Sequence, residues 1–313
     1  MNRQIRFVLI NGVVVIVLLS AIEIISRVLL YQIYNRDFDS SLLVDSKYLN
    51  SSGLKENAEG LVWGKMFHTD PNGGRKNKRT FDKKKLNWLY IGDSVTEGVG
   101  VEDTSTFASL TADEFEEYNI CNYSLIGYSA SDYVNVLSSN LERDSTVDLA
   151  TLFFCLNDVY GKSGLKDLPV MAKQNWIGQV NGVLQNHCAA YKLLKLFFYK
   201  KSNRYFTYDL QFYKTEDNRF QQAMSDLRFC DSLCQTKDIY FNVVMLPYQS
   251  QLRDKNFLPQ QMVREFCETD LIDFSDASEY LLHQPDPSSL YLFADEIHFS
   301  DKGHKAIADF LSQ

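Results

Sequence analysis

The stretch Leu86-Asn-Trp-Leu-Tyr-Ile-Gly-Asp-Ser-Val-Thr-Glu-Gly-Val-Gly100 joins an apolar run to a glycine-containing loop. Its first part, Leu86–Ile91, has the length and the apolar content of a buried strand. Ser94 follows that strand directly, and ligands in an open α/β sheet bind outside the carboxyl ends of the strands. Ser94 is therefore placed where a nucleophile is expected. Taken alone, Gly92-Asp93-Ser94 is equally compatible with an ordinary turn.

Short apolar runs alternate with longer amphipathic runs from Leu86 onward, which is the pattern of βα units and a parallel sheet. Five runs are predicted strands: Leu86–Ile91, Ile120–Tyr123, Leu149–Leu156, Ile239–Leu246 and Leu271–Phe274. Helical periodicity covers Thr106–Glu117, Ser129–Arg143, Thr215–Lys237, Pro259–Thr269 and Ser300–Leu311, the last with Ser300 as its predicted N-cap. The sequence thus predicts an α/β domain.

A second candidate group, Asp295-Glu-Ile-His298, precedes the last predicted helix. This spacing allows the Asp295 carboxylate to reach His298 Nδ1, which would fix the imidazole tautomer and stabilise the imidazolium that forms when Nε2 takes a serine proton. His304 is a rival base, but its position inside the helix favours a residue that faces solvent or caps a neighbouring element. Histidines near carboxylates are common at surfaces, so the pair alone is ambiguous.

Four blocks in this order resemble the SGNH (GDSL-like) hydrolase family. They are Gly92-Asp93-Ser94-Val95, Asn122-Tyr123-Ser124-Leu125-Ile126-Gly127, Leu156-Asn157-Asp158, and Asp295 to His298. The resemblance implies a flavodoxin-like three-layer α/β sandwich around a central, mostly parallel five-stranded sheet. It also implies a triad of Ser94, His298 and Asp295. The implied oxyanion hole consists of the backbone N–H groups of Ser94 and Gly127 and the side-chain amide of Asn157. Taken singly, Gly127 and Asn157 are also compatible with turns or caps.

The composition disfavours two other classes of protein. A formal net charge of -8 and a pI near 5.2 argue against a nucleic-acid partner, because phosphate binding needs a concentrated basic surface. The six cysteines form no Cys-x-x-Cys pair and no zinc-like spacing with histidine. We therefore expect no metal site, and the mechanism that the resemblance implies requires no organic cofactor.

The amino terminus contains an apolar run, Phe7–Ile25, broken only by Asn11, Gly12, Ser20 and Glu23. At about 1.5 Å per residue, a helix of this length spans about 28 Å, close to the thickness of a bilayer core. The sequence predicts a transmembrane anchor. A cleavable signal peptide and a buried core helix remain open as alternatives.

Arg3 and Arg6 before the apolar run favour a cytoplasmic amino terminus, although Arg27 and Arg36 behind it weaken that bias. We therefore predict a single-pass protein of the cytoplasmic (inner) membrane with an extracytoplasmic catalytic domain. The predicted divisions are residues 1–34, a tail and transmembrane anchor; residues 35–85, a juxtamembrane connector with one hairpin; and residues 86–313, the hydrolase domain.

Two further segments are ambiguous in the sequence. The basic run from Arg75 to Lys85 is predicted to be a solvated loop, with contact to anionic lipid headgroups as the alternative. Residues 161–212 are too long for a simple connection and are predicted to form a helical insertion. Its basic, aromatic stretch Tyr191–Lys201 either packs on the protein or lies against the membrane.

The resemblance implies a serine esterase that forms an acyl-enzyme on Ser94 and cleaves acyl, foremost O-acetyl, esters. The predicted anchor would bring acylated saccharides or lipids of the cell envelope to this site, so we expect these as substrates and the membrane as a partner. Two alternatives are retained. One is an O-acyltransferase that modifies a secreted or surface polysaccharide, and the other is a catalytically silent scaffold subunit. The acyl length, the acceptor and the oligomeric state stay open.

Overall fold

The computed structural model describes residues 3–143, 146–161, 176–198 and 201–313. It divides into two compact units. The first comprises Met1–Arg36 and Pro169–Lys200, and the second comprises Asp37–Leu168 and Lys201–Gln313. Parts of the predicted insertion, residues 162–175 and 199–200, lie outside the described residues.

The strands of the described chain are β1 (Leu43–Tyr48), β2 (Ser51–Leu54), β3 (Glu59–Val62), β4 (Lys65–His68), β5 (Leu86–Ile91), β6 (Tyr118–Asn122), β7 (Val147–Phe154), β8 (Tyr240–Met245) and β9 (Asp273–Asp276). Its helices are α1 (Arg3–Ile33), α2 (Ser94–Glu97), α3 (Phe107–Glu114), α4 (Ala130–Arg143), α5 (Trp176–His187), α6 (Ala189–Phe198), α7 (Lys201–Leu210), α8 (Asn218–Gln235), α9 (Gln249–Asp254), α10 (Leu258–Asp270), α11 (Ser278–Leu282) and α12 (Asp301–Leu311).

Five strands form the central sheet of the second unit, in the order β6-β5-β7-β8-β9. Every neighbouring pair is parallel. Numbered along the domain, the order is 2-1-3-4-5, which is that of flavodoxin-like folds. The predicted α/β fold with a five-stranded parallel sheet is therefore confirmed. Ser300 caps α12 as predicted, because its side chain accepts the Gly303 backbone N–H.

The last strand begins later than the sequence pattern predicts. Leu271 is the C-cap of α10, with a left-handed φ of 60°, and its side chain is 89% exposed. The apolar residue that we assigned to the strand instead ends the preceding helix. The strand itself, β9, starts at Asp273.

An aromatic cluster packs behind the strand that leads to Ser94. The ring centroids of Tyr90 and Phe153 lie 4.8 Å apart, and those of Phe107 and Phe153 also lie 4.8 Å apart. All three side chains are fully buried. Burying a large apolar side chain stabilises a fold by about 1.5 to 3 kcal/mol. This cluster joins β5, β7 and α3 and so fixes the carboxyl end of β5.

The segment interpreted as a connector contains two hairpins rather than one. The hairpins are β1–β2 and β3–β4, both antiparallel, and both belong to the second unit. The segment is also joined to the central sheet, since the Arg75 backbone N–H donates to the Asn122 carbonyl at 2.8 Å. Residues 37–85 therefore pack as part of the second unit.

Arg75 is the exception to a solvated basic run, because only 2% of it is exposed. Its Nε donates to Asp103 Oδ1 at 3.0 Å, and its terminal nitrogens donate to the carbonyls of Glu97 and Val101, each at 2.7 Å. A buried cation is tolerated only when it is paired and its donors are satisfied. Arg75 meets both conditions and ties the connector to the loop that follows α2.

The first unit contains α1 together with the α5–α6 hairpin. Among the described residues, α1 is the one helix that is long and apolar enough to cross a membrane, judged by length and composition alone. Glu23 of α1 accepts the backbone N–H groups of Ala189 and Ala190 at 2.9 and 3.0 Å, and it pairs with Arg27 at 2.8 Å. The carboxylate thus caps the start of α6.

Candidate active site

Ser94 lies at the junction between β5 and α2. Asp93 is the N-cap of α2, since its Oδ1 accepts the Val95 backbone N–H at 2.9 Å, and the helix therefore starts at Ser94. Gly92 has to be glycine, because a Cβ at this position would lie 2.3 Å from Thr96 Oγ1. The local sequence thus builds a tight strand-to-helix turn that places Ser94 at the carboxyl end of the sheet.

Ser94, His298 and Asp295 form one chain of hydrogen bonds. Ser94 Oγ lies 2.8 Å from His298 Nε2, and His298 Nδ1 lies 2.6 Å from Asp295 Oδ1. Asp295 is fully buried, and its Oδ1 also accepts the backbone N–H groups of Ile297 and His298. A carboxylate that accepts from Nδ1 leaves Nε2 able to take the serine proton. The structure therefore brings together the three residues predicted for the triad.

The loop that carries Asp295 contains two residues in the left-handed region of backbone conformation. These are Ala294 and Glu296, with φ values of 56° and 63°. Such a conformation costs a non-glycine residue about 1 to 3 kcal/mol and persists only where the surrounding structure imposes it. The strain flanks Asp295 on both sides and fixes the direction of its carboxylate.

Trp63 packs edge-on against the imidazole of His298. The ring centroids lie 4.6 Å apart and the interplanar angle is 72°. Trp63 and Gly64 form the two-residue loop of the β3–β4 hairpin, with φ values of 51° and 74°. Positive φ at both loop positions matches the twist of a hairpin. This contact could not be predicted from the sequence, because a Trp-Gly pair indicates a turn but not what the tryptophan side chain touches.

Gly127 lies in a turn after β6. The turn is closed by the Tyr128 backbone N–H, which donates to the Leu125 carbonyl at 3.1 Å, and Gly127 has a φ of 86°. Positive φ at the third position of such a turn favours glycine. The Ile126 backbone N–H donates to Glu97 Oε2 at 2.7 Å. The buried Glu97 side chain therefore fixes the turn through this hydrogen bond. Burial also raises the pKa of Glu97 to about 8.

Asn157 follows β7 in a short 3-10 helix. Its Nδ2 donates to Asp93 Oδ2 at 3.0 Å, and its Oδ1 accepts from the Tyr248 hydroxyl at 3.0 Å. An amide nitrogen carries two hydrogens, so one is left for a ligand. In the described part of the chain, the backbone N–H groups of Ser94 and Gly127 donate to no other group. The three predicted oxyanion donors are thus all available.

A cavity of about 420 Å³ opens beside Gly127 and Asn157. Its opposite wall comes from the β1–β2 hairpin and the start of α4, where Ser51 Oγ donates to Asp132 Oδ1 at 2.6 Å. Ser52 and Ser129 add further polar groups to the lining. Hydroxyl and carboxylate groups in a wall fix the orientation of a polar ligand. The connector therefore contributes to the cavity beside Gly127 and Asn157, whose lining does not include Ser94 or His298.

His304 does not face solvent, contrary to one of the two roles expected for it. It is fully buried, and its Nδ1 accepts the Phe107 backbone N–H at 3.2 Å, so it caps the start of α3. Burial, and to a lesser degree the nearby charge of Arg75, lowers the pKa of His304 to about 3. His304 is therefore a neutral structural residue, and His298 is the base candidate.

The described residues contain no group of three or more histidine, cysteine, aspartate or glutamate side chains arranged to hold a metal ion. The residues of the candidate site supply a nucleophile, a base oriented by a carboxylate, and hydrogen-bond donors for a developing negative charge. This set is sufficient for acyl transfer through an acyl-enzyme.

A parallel sheet of this order, with a serine, a histidine and an aspartate hydrogen-bonded at the carboxyl end of its first strand, is the arrangement expected of an SGNH-type serine hydrolase. The model of the GDSL-like Lipase/Acylhydrolase family matches residues 90–306, and the chain belongs to that family. The predicted family is thereby confirmed, and with it the prediction that the protein is a serine hydrolase of ester bonds. The comparison with curated proteins found no match.

Three solved structures illustrate the similarity, each at low sequence identity. One is a lipolytic G-D-S-L protein from Veillonella parvula, with 13% identity, a TM-score of 0.42, and coverage of 72% of this chain and 94% of that chain. A variant of an acetyl-xylooligosaccharide esterase from Geobacillus Stearmophilus has 15% identity, a TM-score of 0.44, and coverage of 72% and 92%. A lipase/acylhydrolase from Enterococcus faecalis has 12% identity, a TM-score of 0.44, and coverage of 72% and 93%.

Proposed function

We propose that the protein is a membrane-anchored serine esterase that removes short acyl groups, foremost O-acetyl groups, from saccharides or lipids of the cell envelope. The observation that carries this proposal is the continuous chain from Ser94 Oγ through His298 to Asp295, with distances of 2.8 and 2.6 Å. The donors of Ser94, Gly127 and Asn157 support the same reaction.

The reaction that we propose has two halves. In the first, His298 Nε2 takes the Ser94 proton while Oγ forms a bond to the ester carbonyl carbon, and the oxyanion is stabilised by the three donors. The tetrahedral species collapses, and His298 gives its proton to the departing alcohol. In the second half, water loses a proton to His298 and attacks the carbonyl carbon of the acyl-enzyme. The bond from that carbon to Ser94 Oγ then breaks, His298 returns the proton to Oγ, and the acid is released.

The cavity beside the oxyanion donors supports a short acyl group and a polar acceptor. Its wall includes Ser51, Ser52 and Asp132, and its volume is about 420 Å³. A long alkyl chain binds best in an apolar channel, because each methylene gains about 0.8 kcal/mol only when it leaves water for apolar surroundings. A hydroxyl-rich group finds more partners in this cleft.

Acyl length is the first property to measure. With full-length protein in detergent micelles, we expect p-nitrophenyl acetate to be turned over with a higher kcat/KM than the octanoate, and the products to be unaffected by an added oligosaccharide. Acetylated oligosaccharide among the products would identify an acyltransferase. No release of p-nitrophenol from any ester, together with no labelling of Ser94 by a fluorophosphonate, would support the scaffold alternative and contradict the esterase.

The localisation that we propose is a single-pass protein of the inner membrane with an extracytoplasmic catalytic unit. The apolar length of α1 supports a membrane span. A carboxylate close to a bilayer is costly unless it is paired. Glu23 is paired in this way, since Arg27 and the two backbone N–H groups at the start of α6 surround it.

The anchor predicts how the full-length protein fractionates. In cells that express it, the chain should stay in the membrane pellet after alkaline carbonate extraction, and a phosphatase reporter fused after Gln313 should be active. A matched variant lacking residues 3–33 should appear in the soluble fraction. Release of the intact chain by carbonate, or a shorter mature chain from cleavage after the apolar run, would contradict the span.

A further inference from the structure

The inserted region places one carboxyl group beneath the candidate oxyanion hole. Asp209, near the end of α7, is fully buried. Its Oδ2 accepts from the Tyr248 hydroxyl at 2.9 Å, and its Oδ1 accepts from the Tyr160 hydroxyl. The Tyr248 hydroxyl also lies 3.0 Å from Asn157 Oδ1. A chain of hydrogen bonds therefore runs from Asp209 through Tyr248 to Asn157.

This chain decides which way the Asn157 amide faces. Asp93 is an acceptor beside one end of the amide, and Tyr248 is a donor beside the other. The amide satisfies both neighbours only with nitrogen toward Asp93 and oxygen toward Tyr248. If the Tyr248 hydroxyl could not donate, the Tyr248–Asn157 contact would no longer hold Asn157 Oδ1. The second hydrogen on Asn157 Nδ2 would then lose its fixed direction.

We propose that Asp209 is a positioning residue that acts through Tyr248 to hold the Asn157 amide in its donating orientation. The inference rests on the proposed function, because it assigns a support to one of the three oxyanion donors. It gives the inserted helix α7 a role in the reaction, although Asp209 touches neither Ser94 nor the substrate.

Whether Tyr248 supports the Asn157 amide depends on the protonation of Asp209. Tyr248 has one hydroxyl proton and two acceptors within reach, Asn157 Oδ1 and Asp209 Oδ2. An ionised Asp209 is the stronger acceptor and draws that proton, which leaves two oxygens facing each other across the Tyr248–Asn157 contact. A protonated Asp209 donates to the Tyr248 oxygen instead, and the Tyr248 proton then goes to Asn157. This relay, the chain of hydrogen bonds from Asp209 through Tyr248 to Asn157, is complete only when the carboxyl group of Asp209 is neutral.

The surroundings of Asp209 favour the neutral form near neutral pH. Burial raises the pKa of Asp209 to about 7, with the hydroxyl groups of Tyr160 and Tyr248 opposing the shift. Asp158, in the 3-10 helix beside α7, and Tyr213 also interact electrostatically with Asp209. From α9, which also packs against α7, Arg253 and Asp254 pair with each other at 2.9 Å. Among the described residues, the hydrogen-bond partners of Asp209 are the hydroxyl groups of Tyr160 and Tyr248, and no cationic side chain pairs with it.

Below about pH 7 the carboxyl group of Asp209 is protonated, and the Tyr248 hydroxyl donates to Asn157 Oδ1. As the pH rises through about 7 the group ionises and the support is lost. Support of the oxyanion hole therefore weakens on the alkaline side of about pH 7.

The test uses three variants of the full-length protein in detergent micelles, with an acetyl ester as substrate. Asp209→Asn mimics the protonated group, since its amide donates to Tyr248 and accepts from Tyr160. We expect it to keep the wild-type kcat at pH 6, and the ratio of wild-type to Asp209→Asn kcat to fall as the pH rises through about 7. Dividing by the variant removes every pH effect that the two proteins share.

Asp209→Leu and Tyr248→Phe break the relay at every pH. We expect kcat to fall by about tenfold or more, below the 100- to 1,000-fold limit for complete loss of an oxyanion donor, and KM to change little. Should Asp209→Leu fail to fold, Tyr248→Phe, which removes a single oxygen, carries the test. Wild-type kcat in Tyr248→Phe, or a ratio that is flat from pH 6 to pH 9, would overturn the inference.

An infrared titration separates this inference from the proposed function. The carboxyl stretch of a protonated Asp209, identified by its absence in Asp209→Asn, should disappear as the pH rises through about 7, whatever ester the protein hydrolyses. Ionisation at the ordinary pKa of an aspartate would overturn the relay even in an active esterase. If the infrared titration is as expected but no Ser94-dependent hydrolysis is found, the esterase proposal is rejected. The inference about the Asp209–Tyr248–Asn157 hydrogen bonds then still stands.

Discussion

Ser94→Ala should lower kcat for ester hydrolysis by about four to six orders of magnitude, with little change in KM. Ser94 Oγ is the atom that bonds to the carbonyl carbon in the proposed reaction, and it lies 2.8 Å from His298 Nε2, which takes its proton. Loss of the nucleophile in such a triad leaves only the acceleration that binding and the oxyanion donors provide. The measurement is the initial rate of acetyl ester hydrolysis by purified full-length protein.

Ser124→Ala is the matched control for this experiment. Ser124 is a buried serine in the block that ends at Gly127, and its hydroxyl has no hydrogen-bond partner among the described residues. Its removal should leave kcat within about twofold of the wild type, because no contact of the site is lost. Equal activity of Ser94→Ala and Ser124→Ala would mean that Ser94 is not the nucleophile.

Asp295→Ala should lower kcat by about three to four orders of magnitude. The Asp295 carboxylate accepts from His298 Nδ1 at 2.6 Å and from two backbone N–H groups, so its loss frees the imidazole to change tautomer and direction. It also removes the charge that stabilises the imidazolium. In triads of this kind the aspartate is worth less than the nucleophile, which sets the order of the two predictions.

Asp301→Ala serves as the control for charge, because Asp301 is an exposed carboxylate in the first turn of α12. We expect its kcat to stay near that of the wild type. Circular dichroism of both variants checks that the fold is retained, since Asp295 also holds its own loop. A folded Asp295→Ala with wild-type kcat would contradict the role of the carboxylate.

Much of the fold was predictable from local patterns. β5 has the same bounds in the sequence analysis and in the structure, Leu86–Ile91, because its buried apolar run is bounded by lysines on one side and glycine on the other. The order of the four blocks then predicted the family. The geometry of Ser94, His298 and Asp295 also agrees with the expectation, because each residue lies in a short local motif next to a regular element.

The parts that could not be predicted depend on contacts between distant segments. The packing of Trp63 on His298 and the burial of Arg75 require the connector to fold onto the catalytic unit, which no periodicity in that segment indicates. His304 occupies a helical position that is compatible with exposure until α3 packs against it. Asp209 looks like an ordinary helical carboxylate in the sequence, and only the positions of Tyr160 and Tyr248 give it partners.

In the proposed mechanism Ser94 is the nucleophile and His298 activates it. This assignment is tested by labelling the full-length protein with a fluorophosphonate, followed by peptide mass spectrometry of the modified site. We predict one adduct, on Ser94, whose formation is lost in Ser94→Ala and slowed in Asp295→Ala. An adduct on another residue, or labelling that is equal in the wild type and Ser94→Ala, would contradict the assignment.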